Sequence, residues 1–311
     1  MMTLSSTKAL RTVVGGLLAA AATAFGGPLP RTQVSGDAKW VVHFDIERFA
    51  PSQTCQILCR DKQGGEGFQA LLTHYRNLLG VDPLKDITHI TLYGNEVSGS
   101  RGVALITGAL NAKTVVQRLS AYPQYRTKTV GRMLVHKWRD KSGGTELNAC
   151  FLSARLLAIA SDEPTLIGAA DVLSGNKPSL ASRNKPGLLV PVAKEGVFMT
   201  AVTKGYGGSP DEPLKAMILR NTDSAVLEIA ENKGIVDADM VLTAVSPDAA
   251  FQIHQILNGL IVSANLAPEA DGFAKLAELS EVSRKGQTVT LQLHCPARDA
   301  ATTLAASMLS R

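Results

Sequence analysis

The residues best suited to chemistry stand close together near the start of the chain. Trp40-Val-Val-His-Phe-Asp-Ile-Glu-Arg-Phe49 alternates strictly in polarity. A strand through it sets Trp40, Val42, Phe44 and Ile46 on one face and His43, Asp45 and Glu47 on the other. An imidazole beside two carboxylates is the equipment of general acid–base catalysis. One strand supplies only a row of such groups, whereas a metal wants ligands converging from several elements. The plainer reading of the row is a solvated sheet face. His136 and His294 also fall on expected strands, so a site made from His43, Asp45 and one of them requires the sheets to join.

The other chemical signals are thinner. Cys55 and Cys59 are four residues apart, while Cys150 and Cys295 are isolated. Sequence leaves the three connectivities of four cysteines open. No neighbouring His or Cys completes a zinc set, so a Cys55–Cys59 bond or two free thiols comes ahead of a metal site. Ser98-Gly-Ser-Arg-Gly102 lacks the spacing of a nucleophile elbow and lies in a hairpin loop rather than a strand-to-helix turn. Gly205-Tyr-Gly-Gly208 is followed by Pro210, with no long helix to complete a phosphate loop. No cofactor and no metal is expected. Catalytic triads are geometric, so an enzyme stays open as an alternative.

The elements that must position these residues repeat. Asp86–Gly94 and Gly102–Leu110 read as a hairpin, after which Asn111 opens a helix. Ser224–Glu231 and Asp239–Val245 read as a second hairpin, after which Ser246-Pro247 opens another. Longer strands are expected over Lys128–Arg139 and Leu147–Ala160, and a final hairpin over Glu281–Arg284 and Gln287–His294. Leu92 and Leu227 are 135 residues apart, as are the helix starts at Glu163 and Arg298. The expected fold is α+β, with two related halves of order β-α-β-β-α-β-β-α, each an antiparallel sheet with helices on one face. The first repeat covers 38–175 and the second 196–311, joined by a linker over 176–195.

Residues 1–24 carry the pattern of an export signal. Lys8 and Arg11 precede the apolar run Thr12–Ala22, and Ala22-Thr23-Ala24 places cleavage after Ala24. Residues 25–37, rich in Gly and Pro, read as a flexible leader. The apolar run is shorter than the ~20 residues of a spanning helix. Further on, Ile253–Leu266 is broken by His254, Gln255, Asn258 and Asn265, so no stable membrane span is expected after cleavage. The formal charge of +5 falls to +3 once Lys8 and Arg11 are removed, with basic and acidic residues interspersed. A nucleic-acid binder would show a basic stripe, so that class is excluded. A chain that is 45% hydrophobic and 19% charged is not disordered, and 5% aromatic content leaves few surfaces for stacking a sugar or base.

Several stretches resemble a group of uncharacterised exported proteins of planctomycete- and verrucomicrobia-type bacteria. They are Ala38-Lys-Trp-Val-Val-His-Phe-Asp-Ile46, Leu79-Gly-Val-Asp-Pro-Leu-Lys-Asp86 with Ile90-Thr-Leu-Tyr-Gly94, Ala170-Asp-Val-Leu-Ser-Gly175, and Ser246-Pro-Asp-Ala-Ala250 before Leu257-Asn-Gly-Leu260. The resemblance implies export and no particular activity. Cys55 and Cys59 depart from it, standing where such proteins tend to have a short Thr/Pro/Gly segment. The expected function is therefore a periplasmic or secreted non-enzymatic binding or structural protein of the cell envelope. Its partner would be an unknown envelope protein or a small ligand. The alternatives are an exported hydrolase with a site between the halves, and a module that adds a partner's strand to a sheet edge.

Overall fold

The computed structural model describes residues 27–60, 66–97, 101–139, 146–182, 188–191, 194–205, 213–265 and 273–309. Residues 1–24, where an export signal is expected, Ser98–Ser100 and Tyr206–Gly208 lie outside the described residues. The first half holds β1 (Trp40–Asp45), α1 (Ile46–Phe49), α2 (Gln53–Arg60), α3 (Glu66–Leu79), α4 (Pro83–Asp86), β2 (Ile87–Gly94), β3 (Val103–Gly108) and α5 (Ala112–Leu119). It continues with β4 (Arg126–Val130), β5 (Met133–Arg139), β6 (Glu146–Ser153), β7 (Leu156–Ala160) and α6 (Glu163–Leu173). The second half holds β8 (Val197–Lys204), α7 (Pro213–Arg220), β9 (Thr222–Asn232), β10 (Ile235–Ala244), α8 (Pro247–Asn265), α9 (Phe273–Glu278), β11 (Ser280–Lys285), β12 (Thr288–Pro296) and α10 (Ala297–Leu309).

The strands form one continuous antiparallel sheet, ordered β11-β12-β10-β9-β8-β1-β2-β3-β7-β6-β5-β4. The two expected sheets therefore join, edge to edge, where β1 pairs with β8. Outward from this seam the order is β1-β2-β3-β7-β6 on one side and β8-β9-β10-β12-β11 on the other. Leu92 pairs with Val42, Leu227 pairs with Ala201, and Val42 pairs with Ala201. The two leucines 135 apart in sequence are thus equal steps from a local dyad at Val42 and Ala201.

Two expected strands are each a hairpin. Lys128–Arg139 folds back at Gly131, whose φ of 59° suits the first loop position of a two-residue turn. Leu147–Ala160 folds back at Ala154-Arg155, which carries no turn chemistry in its residue types. The polar stretch Pro51–Arg60, which lacks a strong apolar period, contains α2. The strand from Trp40 stops at Asp45, whose carboxylate accepts from the Arg48 N–H and turns Ile46–Phe49 into a helical turn. Glu47 therefore leaves the row that the alternation assigns to it.

Both sheet faces are buried in the first half. On one face lie Phe44, Ile90, Leu92, Ile106, Leu157 and Trp138, covered by α2, α3, α5 and α10. On the other lie Val41, Tyr93, Val103, Leu105 and Ala158, covered by α6, the segment before β1 and Leu180 and Leu188. The supposed leader is an ordered part of this core: Val34 is fully buried, Leu29 nearly so, and Ser35 bridges Ser179. Its Gly and Pro residues shape turns, with Arg31 N–H donating to Leu29 O and Gln33 N–H to Pro30 O. In the second half α8 packs on the first of these faces, against Leu242, Ala244 and Val289. α10 also lies there, whereas α6 lies on the opposite face. The equal spacing of the Glu163 and Arg298 helix starts is thus not matched by equal placement.

Candidate functional site

β1 delivers His43 and Asp45 to the face that carries Val41, where the segment before β1 closes over them. Neither residue is solvated: His43 is 4% exposed and Asp45 2%. They border a recess of about 220 Å³ with Gly27, Leu29, Arg31, Arg48, Pro191 and Thr200. Thr91 Oγ1 donates to His43 Nδ1 at 2.9 Å, and His43 Nε2 donates to Gly27 O at 3.3 Å. Both ring nitrogens are therefore engaged. Burial, then the nearby His89, pushes the His43 pKa down to about 3, so the ring stays neutral. A neutral imidazole with neither nitrogen free is not placed to take a proton from a substrate.

Asp45 is committed to Arg48. Its Oδ1 accepts the Arg48 N–H at 3.0 Å and its Oδ2 lies 3.4 Å from Arg48 Nε. Arg48 also donates to the carbonyls of Lys194 and Val197, each at 3.3 Å. Burial raises the Asp45 pKa to about 6 against the lowering effect of the Arg48 amide and charge. The pair ties β1 to the start of β8. His89 joins this cluster without a sequence signal: its ring lies 5.3 Å from that of His43, and its Nε2 is buried with no hydrogen-bond partner among the described residues. Burial lowers its pKa to about 4.

The other two histidines do not meet His43. His136 pairs with Ala149, on the face that carries Trp138, so the sheet separates it from His43. Tyr125 Oη lies 2.8 Å from its Nδ1, and burial lowers its pKa. It sits in an open groove of about 710 Å³ bordered by α5 and the end of α6. His294 shares the face of His43 but stands on β12, four strands away. Four strand spacings of about 4.8 Å put β12 about 19 Å from β1. There His294 Nδ1 contacts Asp237 Oδ1 at 2.5 Å on an exposed surface. Among the described residues no group of three or more His, Cys, Asp and Glu is arranged to hold a metal.

What the halves do build together is apolar. A cavity of about 180 Å³ lies on the helical side of the seam. β1, α1 and α2 contribute Phe44, Phe49, Thr54 and Leu58; β8, β9, β10 and β12 contribute Phe198, Met199, Ile229, Val236, Ala238 and Leu293. Leu276 of α9 and Ala300, Thr303 and Leu304 of α10 close it. Phe49 packs edge-on to Phe44 at 5.5 Å and against Phe198 at 5.1 Å between ring centres. The two hydroxyls in the wall are already spent: Thr54 Oγ1 donates to Glu231 at 2.6 Å and Thr303 Oγ1 to Asp299 O at 3.1 Å. This lining suits an apolar group and not a polar one. Alternation along β1 announces Phe44, but the cavity needs the β1–β8 pairing, which no local pattern reveals.

The free sheet edges are β4 and β11. β4 carries Arg126 and Lys128, and β11 carries Glu281, Arg284 and Lys285, charges of the kind that blunt strand addition. No helix among the described residues is long and apolar enough to cross a membrane. No known protein family matches the sequence, and no curated protein matches it. Solved structures do. Crystal form III of TP0453 superposes with a TM-score of 0.50 at 8% identity, covering 90% of this chain and 99% of that one. Crystal form I gives 0.45 at 8% identity, covering 90% and 98%, and form IV 0.45 at 6%, covering 90% and 97%. At this identity the similarity to form III is one of fold, α+β on a large antiparallel sheet.

Proposed function

We propose that the chain is an exported, non-catalytic binding protein of the cell envelope, and that an apolar group of its ligand occupies the cavity at the β1–β8 seam. The cavity carries this reading. An apolar cavity of about 150 Å³ stays dry and takes up a benzene-sized molecule, and this one has about 180 Å³ with both hydroxyls of its wall already hydrogen-bonded. A benzene-sized ring or a short alkyl segment fits that space. The distance between His43 and His294, and the sheet between His43 and His136, count against the hydrolase. The motif stretches that resemble uncharacterised exported proteins, and the signal pattern of residues 1–24, support export. The matched strand order on either side of the seam supports an origin by internal duplication, from which the last helices then diverged.

The test is titration of the purified chain, begun at Phe25, with toluene, followed through the NMR shifts of Phe44, Phe49 and Met199 in the cavity wall. The expected result is saturable binding that is lost in an Ala238→Leu/Ala300→Leu variant of unchanged unfolding midpoint. Equal binding by both proteins refutes the cavity assignment. Export is checked separately by N-terminal sequencing of protein from fractionated cells. Phe25 is the expected first residue, and an intact Met1 in the cytosol overturns the compartment.

A further inference from the structure

Cys55 and Cys59 lie one turn apart on α2, with their sulfurs 3.9 Å apart and unbonded. Their surroundings differ. Cys55 is buried at 1% exposure, while Cys59, at the penultimate position of the helix, is partly exposed. Ser52 Oγ accepts the Cys55 N–H at 3.0 Å, fixing the inner cysteine at the helix start. Gln69 Nε2 donates to Cys59 O at 3.2 Å, supporting the outer one at the helix end. Cys150 and Cys295 are buried on β6 and β12 and take no part.

We propose that Cys55 and Cys59 form an exchangeable dithiol that reduces a disulfide substrate, with Cys59 attacking and Cys55 resolving. The accessible thiol of such a pair makes first contact, and the buried one is shielded from any other reactant. The hydrogen bond from the Cys55 thiol lowers the Cys59 pKa to about 7, and the same bond, then burial, raises that of Cys55. The Cys59 thiolate attacks one sulfur of the substrate disulfide; that bond breaks, and the departing thiolate takes a proton. In the mixed disulfide Cys55 gives its proton to solvent and attacks Cys59 Sγ, releasing the second substrate thiol. Two protein thiols are oxidised to one disulfide, and one substrate disulfide is reduced to two thiols.

The helix sets the cost of closure. Cβ atoms at i and i+4 of a helix are about 5–6 Å apart, whereas a disulfide wants about 3.5–4.5 Å. The last turn of α2 must therefore tighten to close the bond, and α2 ends at Arg60, one residue beyond Cys59. A strained bond of this kind is readily reversed.

The reduced full-length mature chain is incubated with oxidised glutathione, quenched with N-ethylmaleimide and mapped by mass spectrometry. The wild type is expected to lose both thiols of the Cys55–Cys59 peptide without retaining glutathione. Cys55→Ser is expected to hold glutathione on Cys59, and Cys59→Ser to acquire an adduct on the order of tenfold more slowly. Both thiols remaining alkylatable in the wild type overturns the proposal. So does glutathione left stably on the wild-type Cys59, since no resolving step then occurs. Equal adduct rates in the two variants overturn the assignment of roles.

Discussion

Replacing Glu231 with Ala severs a tie between the two halves that is made by one carboxylate. Glu231 stands near the end of β9, yet its Oε1 accepts the Gln53 N–H at 2.6 Å and its Oε2 accepts the Thr54 N–H at 3.1 Å and the Thr54 hydroxyl at 2.6 Å. Ser52 satisfies the Cys55 N–H, so the first three amides of α2 are accounted for. A negative charge at a helix N-terminus is also stabilised by the positive end of the helix dipole. Loss of a cap costs about 1 kcal/mol. Leaving the buried Thr54 hydroxyl without an acceptor adds about 1–3 kcal/mol. Glu231→Ala should therefore destabilise by about 2–4 kcal/mol in equilibrium urea unfolding. Glu231→Gln keeps one acceptor oxygen and should lose about half of that. Hydrogen exchange supplies a local readout, with protection at Thr54 and Cys55 falling more than at the centre of β2. Thr54→Val in the Glu231→Ala background should cost less than it does in the wild type, because the hydroxyl has already lost its acceptor. A Glu231→Ala variant within about 0.5 kcal/mol of the wild type, with Thr54 still protected, refutes the capping argument.

Three further outcomes rest on the buried cluster and the sheet. Asp45 titrates near 6 in the folded chain against 3.8 as a free group, so between those values the native state holds a proton that the unfolded state has lost. Its contribution falls as pH rises through that window, and Asp45→Asn should gain about 2–3 kcal/mol on the wild type between pH 4 and pH 7; parallel urea midpoints at the two values contradict this. His43 and His89 have the opposite sign: with folded pKa values of about 3 and about 4, both remain neutral while the unfolded chain protonates below 6.5. Stability therefore drops as pH falls from 6.5 toward 4, and ¹⁵N NMR at pH 5 should find both rings neutral with the His43 proton on Nε2; an imidazolium signal for either is the contrary result. Gly108→Ala drives a Cβ into the Asp86 carbonyl and Ile87 Cα at the β2 irregularity, so it should cost about 1–3 kcal/mol by urea unfolding, and a silent substitution would mean that this contact relaxes.

Local chemistry made much of the fold legible. The hairpins at β2–β3 and β9–β10 announce themselves by alternation, and the second turns at Lys233-Gly234, with φ values of 50° and 79°. Asn111 and Asp162 cap their helices as their residue types suggest. What alternation does not encode is which face ends up dry. His43 and Asp45 look solvated because the row is polar, but residues 27–38 fold back over them, and an earlier segment's cover leaves no mark on the strand itself. Ala154-Arg155 makes a turn through its register alone, so Leu147–Ala160 reads as one strand when it is two. α2 hides for a different reason: Thr54, Cys55 and Leu58 are its buried residues, too few large apolar side chains to mark a helical period. Pairing β1 with β8 is the longest inference, because Val42 and Ala201 are brought together by the whole fold and by no pattern near either.

That seam also sets an order of assembly. β1 is the first strand of the chain but occupies the middle of the sheet, and one of its two neighbours begins only at Val197. Contacts between residues so far apart in sequence are slow to form. The hairpins on the N-terminal side have all their partners before β8 exists, so the first half can condense with β1 as a temporary outer edge. That edge bears none of the charged groups that guard β4 and β11, apart from Asp45 at its end. A chain cut or stalled before Val197 leaves the β8-facing edge of Trp40–Phe44 open to accept a strand from another copy.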